Sequence, residues 1–327
     1  MTGAGGFVGA NLVRRLASDG HRVTATVRPG SDLWRLEPGA GGRLDALDVR
    51  PLDLTDQRAV ERAVGETRPE WVFHLAAHGA YSWQTEPRAI FRTNVLGTVN
   101  VVEASSAAGC EALVHAGSSS EYGFKDHAPD EEEALEPSSE YGVSKAAATL
   151  YCRQAARGGS MRIVTLRLYS VYGPFEDPRR LVPVLASRGL GGELPALVDP
   201  DVARDFVAVE DAVEAFLLAA TRPGLPAGAV YNVGSGQQTS IADIVAVARR
   251  VLRLEAKPDW GAAQRRRWDT TTWVARTDRV RRELGWRART PLDEGFTRMV
   301  HWLRSTSEVW PVYGVRQSRT GGRGDCS

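Results

Sequence analysis

Apolar residues recur at helical spacing over 7–18, with Val8, Leu12, Val13 and Leu16 on one face, and the run stops at Asp19-Gly20. This reads as an amphipathic helix closed by glycine. Residues 22–27 then alternate as a strand does. The same rhythm returns as helix 57–64, strand 71–76, helix 87–108, strand 112–116, helix 141–157 and strand 162–168. Strands alternating with helices of this length need crossover connections, so the pattern predicts an α/β fold with a doubly wound parallel sheet.

After Gly173-Pro174 the periodicity loosens to about residue 205, then resumes as a helix over 209–220 and a strand over 230–233. The chain is expected to leave the sheet, build part of a second lobe and return. Residues 1–170 with about 205–235 form the sheet domain in this reading; 171–204 and 236–304 form a smaller C-terminal substrate-binding lobe. From Ser305 onward Gly, Ser, Thr and Arg dominate, which predicts a disordered tail over 305–327 and leaves its Arg323-Gly324-Asp325 triplet as a chance occurrence.

Charge narrows the partners. Lys plus Arg number 41 against 40 Asp plus Glu, so no net basic field favours nucleic acid or a membrane surface, and an anionic ligand must be held locally. Three cysteines, Cys110, Cys152 and Cys326, have neither metal-ligand spacing nor a complete set of disulfide partners, which points to a reducing, cytoplasmic setting and to no metal. No apolar stretch approaches the roughly eighteen residues of a membrane span.

Thr2-Gly3-Ala4-Gly5-Gly6-Phe7-Val8-Gly9 sets Gly3, Gly6 and Gly9 just before the first helix. Such glycines let the backbone approach a pyrophosphate, whose charge is met by the N–H groups at the helix N-terminus, with Phe7 and Val8 in the first turn. The loop normally follows a buried strand, yet only Met1 precedes it here; the expectation is a native start several residues earlier. The following strand ends in Arg28 where an acid would bind the adenosine ribose. An Arg can pair with a 2′-phosphate, so NADP(H) is favoured, with NAD(H) as the alternative.

Tyr141-Gly142-Val143-Ser144-Lys145 puts Tyr141 and Lys145 four apart on one helix face, where an ammonium can lower a phenol's pKa. Upstream, the strand Leu113-Val114-His115-Ala116 delivers Gly117-Ser118-Ser119-Ser120-Glu121-Tyr122-Gly123 at its carboxyl end, where doubly wound sheets bind ligands. With Asp53-Leu54, His74-Leu75-Ala76-Ala77, Thr93-Asn94, Tyr172-Gly173-Pro174, Arg204-Asp205-Phe206-Val207, Asn232-Val233-Gly234 and Leu284-Gly285-Trp286, the chain resembles the extended short-chain dehydrogenase/reductase family over about residues 2–303. The likeness is to its branch of nucleotide-sugar epimerases, dehydratases and reductases.

That resemblance implies a Rossmann sheet, Tyr141 as general acid/base, Lys145 holding the nicotinamide ribose and tuning Tyr141, and Ser118 on the reacting oxygen, with Ser119 as the alternative. It implies that Asp53 and Leu54 flank the adenine, that Ala76 and Ala77 line the cofactor cleft, and that Asn94 belongs to the cofactor site. Ser119 and Ser120 stand where sugar 4,6-dehydratases carry acids, which disarms that chemistry unless a one-residue gap lets Glu121 serve. For the substrate, a nucleotide-diphosphate sugar, the candidates are Tyr81, Ser119, Ser120, Ser170, Arg204 and Arg267, the last within Arg265-Arg266-Arg267. His74, among apolar strand neighbours, reads as a core histidine. The leading expectation is an NADPH-dependent reductase of a 4-keto-6-deoxy sugar; the alternatives are a 4-epimerase with tightly held NAD and a non-catalytic dinucleotide sensor. Relatives pair the helices over 87–108 and 141–157 into a four-helix bundle, so a homodimer is expected.

Overall fold

The computed structural model describes residues 1–37, 47–266 and 269–315. Its strands are β1 (Thr24–Val27), β2 (Asp48–Pro51), β3 (Trp71–His74), β4 (Ala112–Ser118), β5 (Arg162–Leu168), β6 (Ser170–Tyr172), β7 (Phe206–Ala208) and β8 (Val230–Val233). β2 and β1 pair in parallel, and so do β3, β4, β5 and β8 in the spatial order β8-β5-β4-β3.

One residue joins the two groups. Thr2 bridges Thr26 of β1 on one side and His74 of β3 on the other, both in parallel. Its N–H donates to Phe73 and its carbonyl accepts from Leu75, while the Met1 carbonyl accepts from Thr26. Met1 and Thr2 therefore occupy the place of the strand that precedes the glycine loop.

Alternation along the strands sorts side chains into two layers. Phe73, Val114, Val164 and Leu166 face α1 (Phe7–Ser18) and a later helix, α7, over Val209–Thr221. Val72, Leu113 and Ile163 face α2 (Gln57–Thr67), the helix pair α3 (Pro87–Phe91) and α4 (Gly97–Ala107), and α5 (Glu140–Gly158). Helices cover both faces, as the sequence pattern requires. Asp56 caps α2 and Ser139 caps α5, each accepting a backbone N–H of the first turn. Between α3 and α4 the chain runs on through a π-helical turn, Arg92–Leu96, a widening that is frequent at functional sites.

The smaller lobe packs α6 (Leu181–Leu190), α8 (Ile241–Leu252) and α9 (Leu292–Ser305) around Leu185, Ile244, Val245, Phe296 and Met299. α6 lies where periodicity had seemed lost. Pro183 hides it, yet a proline in the first turn removes an N–H that has no partner inside the helix. A second departure concerns the tail expected from Ser305. Ser307–Val309 and α10 (Trp310–Tyr313) are built onto the lobe, with Val309 and Tyr313 buried and the Tyr313 hydroxyl donating to the Glu176 carbonyl. The triplet at 323–325 lies outside the described residues. Among the described residues, no helix is long and apolar enough to cross a membrane.

Candidate active site

Gly3 adopts a φ of +68°, open to glycine at little cost, and a Cβ there would strike the Ala76 backbone; at Gly9 it would strike the Gly3 carbonyl. The loop is thus pressed against the end of β3, and Gly6, at the N-cap of α1, brings no side chain to cover the first N–H groups. This cradle fits a pyrophosphate. Ala76 lies against Gly3, and Leu54 packs under Gly97. Asp53 is exposed, with one oxygen holding the N–H and hydroxyl of Thr55. Arg28 is exposed beyond β1 and, after burial, helps to hold the His78 imidazole below its ordinary pKa.

Asn94 is bound up within the protein. It is fully buried in the π turn, and its amide is committed to the His78 N–H and carbonyl and to the Ser144 hydroxyl. Those bonds brace the segment at 76–78 against α5.

Ser118 and Tyr141 meet. The Ser118 side chain lies beside the Tyr141 phenol and acts to lower its pKa, and its hydroxyl accepts from the Ser120 N–H at 3.1 Å. Burial nevertheless pushes the phenol up to about 12, against the lowering by Ser118. Lys145 is tied to the sheet beneath α5. It is buried, and its Nζ lies 3.0 Å from His115 Nε2. Burial lowers its pKa to about 8, opposed by Glu121 and Cys152.

Glu121 is also accounted for. Fully buried, it accepts from the Ser118 N–H (2.8 Å), the Thr149 hydroxyl (3.0 Å) and Arg167 Nε (2.9 Å). Arg167 in turn donates to the Tyr122 hydroxyl and the Glu131 carbonyl. A carboxylate so bound cannot swing out to carry substrate protons, which removes the one-residue-gap alternative. The sequence reading missed this pair. The signal was available: Arg167 sits between Leu166 and Leu168 in a strand of apolar residues, and an arginine there requires a buried partner.

Toward the lobe, Tyr81 stacks on Trp83 with ring centroids 4.6 Å apart, and the Arg179 guanidinium lies 3.4 Å from the centroid of the Trp83 ring. Arg179 forms two bonds to Asp177, so the loop after β3 is tied to the loop after β6. Arg180 lowers the pKa of both Tyr81 and Tyr141, so the two phenols share one charged neighbour. Ser170 pairs through its backbone with the Asp205 carbonyl, beside Arg204. Arg204 Nη2 is held 2.7 Å from Asp269 Oδ1, a partner the sequence did not reveal. Ser119 is buried and, with Tyr169 and Trp273, lines a small pocket next to Ser118. Arg267 lies outside the described residues.

A glycine cradle for a dinucleotide beside a Ser, Tyr and Lys set defines an extended short-chain dehydrogenase/reductase. The chain belongs to the NAD dependent epimerase/dehydratase family, whose model matches residues 1–234. It is 31% identical to a UDP-glucose 4-epimerase of Mycolicibacterium smegmatis, over 94% of this chain and 99% of that protein. Its fold matches that of UDP-glucose 4-epimerase from Thermotoga maritima with UDP-glucose at a TM-score of 0.83, with 26% identity over 94% of this chain and 98% of that one. MoeE5 in complex with UDP-glucose and NAD matches at a TM-score of 0.81, with 31% identity over 94% and 98%.

Proposed function

We propose that this protein is a nucleotide-diphosphate-sugar 4-epimerase that keeps NAD bound through its cycle. The observation that carries the reading is the placing of Ser118 beside the Tyr141 phenol while the neighbouring carboxylate of Glu121 is locked to Arg167. Such a site can move one proton on and off a sugar oxygen, and Glu121, held by three donors, is not free to serve as the acid or base that eliminating water needs. It therefore fits inversion at C4 and not 4,6-dehydration, and the UDP-glucose 4-epimerases among its relatives support the same choice over the reductase expected first.

NAD, when bound, supplies the hydride acceptor and donor for C4. Tyr141 takes the C4 hydroxyl proton and later returns it, Ser118 holds the same oxygen, and Lys145 holds the nicotinamide ribose. Gly3, Gly6 and Gly9 receive the pyrophosphate. Arg204 is assigned to the substrate diphosphate, for which Asp269 keeps it extended. The test is to incubate the protein with UDP-glucose or UDP-galactose and no added cofactor. Equilibration of the two sugars, without net change in NADH absorbance, is the expected result; no interconversion by an NAD-loaded preparation refutes it.

The reductase reading retains one supporting observation, the exposed Arg28 at the end of β1, where an acid would repel a 2′-phosphate. Stoichiometric oxidation of NADPH by a 4-keto-6-deoxy nucleotide sugar would favour it. We also assign a homodimer, because Phe91, Leu96, Val143 and Leu150 stand exposed on α3, the π turn and α5. Light scattering at micromolar concentration tests this, with Leu150→Glu expected to give monomers.

A further inference from the structure

Three strands bring polar residues into one row. His74 of β3, His115 of β4 and Thr165 of β5 are register partners, one step beyond the apolar row Val72, Leu113 and Ile163 on the face covered by α5. Both imidazoles are fully buried, stacked with centroids 5.6 Å apart. His74 is satisfied on both sides, by the Thr2 hydroxyl at 2.7 Å and the Thr98 hydroxyl at 2.9 Å. His115 is satisfied differently. Its Nδ1 faces the Thr165 hydroxyl at 3.4 Å, and its Nε2 faces the Lys145 ammonium at 3.0 Å.

An ammonium has three donors and no acceptor, so Nε2 must offer its lone pair and the ring proton must sit on Nδ1. Burial, with Lys145 and His74 alongside, holds the His115 pKa well below its ordinary value, which keeps that lone pair free. One donor of Lys145 is thereby fixed toward the sheet. Among the described residues the ammonium makes no other hydrogen bond.

We infer that His115 is a positioning residue for the cofactor: it anchors Lys145 from beneath so that the remaining two donors are presented to the nicotinamide ribose. The inference rests on the NAD site proposed above and goes beyond it by assigning a supporting role to a residue of the sheet interior. Thr165 assists by fixing the tautomer.

Calorimetric NAD titration of the native protein, His115→Phe, Lys145→Met and the double variant tests it. One charge-assisted bond of this kind corresponds to about a ten- to hundred-fold weakening of NAD binding in His115→Phe. His115→Gln, which returns an acceptor, should recover part of that loss. In the Lys145→Met background His115→Phe should have no further effect, since the bond is already gone. An equal loss in both backgrounds, or no loss in the native one, overturns the proposal. Should His115→Phe not fold, 15N labelling of histidine in the native chain and in Lys145→Met gives a second reading. A proton on Nδ1, with an Nε2 resonance that moves when Lys145 is replaced, is expected; a proton on Nε2 at neutral pH overturns the idea. These measurements need no sugar, so a native chain that binds NAD but interconverts no sugars would sink the epimerase reading alone.

Discussion

The two faces of the central sheet differ in kind. Against α1 and α7 the strands present Phe73, Val114, Val164 and Leu166, with Phe216 and Ala212 opposite. Against α5 the strands begin apolar, with Val72, Leu113 and Ile163, and turn polar toward their carboxyl ends, with His74, His115, Thr165 and Arg167. Both faces are buried, so exposure does not explain the change. The first face is held by area removed from water, which tolerates imprecise geometry. The polar end of the second is held by bonds that must all be made, because an unpaired buried donor or charge costs more than its bond returns. Stability spread over one face leaves the other able to hold Ser118, Tyr141 and Lys145 in fixed positions.

Tyr141→Phe removes the proton carrier and leaves the core untouched, so kcat should fall by about a hundred- to ten-thousand-fold while NAD affinity and unfolding midpoint stay near native. More than a tenth of the native rate, with chemistry rate-limiting, would contradict the assignment.

Arg167→Met strands the Glu121 carboxylate in the interior, and loss of one partner of a buried pair costs about 3–5 kcal/mol. Because Glu121 also accepts the Ser118 N–H, kcat should drop along with the urea midpoint. Leu166→Ala, one residue away on the opposite face, should cost about 2–5 kcal/mol through the cavity it leaves while kcat of the folded enzyme holds. Equal effects of the two substitutions on kcat would erase the distinction between the faces.

The contrast extends to the lobe, where Glu176 is buried with Oε2 unpartnered. Burial raises its carboxyl to about 8, against the pull of Arg180 at 3.5 Å. The unfolded chain ionises this group at its ordinary value of about 4.3, so across the interval the native state carries the extra proton and stability falls as pH rises toward 8. Glu176→Gln should flatten that decline in the thermal midpoint measured between about pH 5 and 8. A variant whose midpoint follows the native one at every pH would show that the carboxyl ionises freely.

Local patterns determined a large share of this protein. Helical spacing fixed α1, alternation with helices fixed a parallel sheet, three glycines marked the cradle, and the four-residue spacing of Tyr141 and Lys145 placed both on α5. These features depend on neighbours in the chain, so a window of residues carries them. Other features join distant residues. Only the tertiary structure decided that Glu121 belongs to Arg167, that Lys145 rests on His115, that Asn94 faces inward, that Asp269 holds Arg204, and that α10 packs on the loop carrying Glu176. A buried polar residue announces in the sequence that it needs a partner; which one it receives depends on strand register and helix packing, and those exist only once the chain has folded.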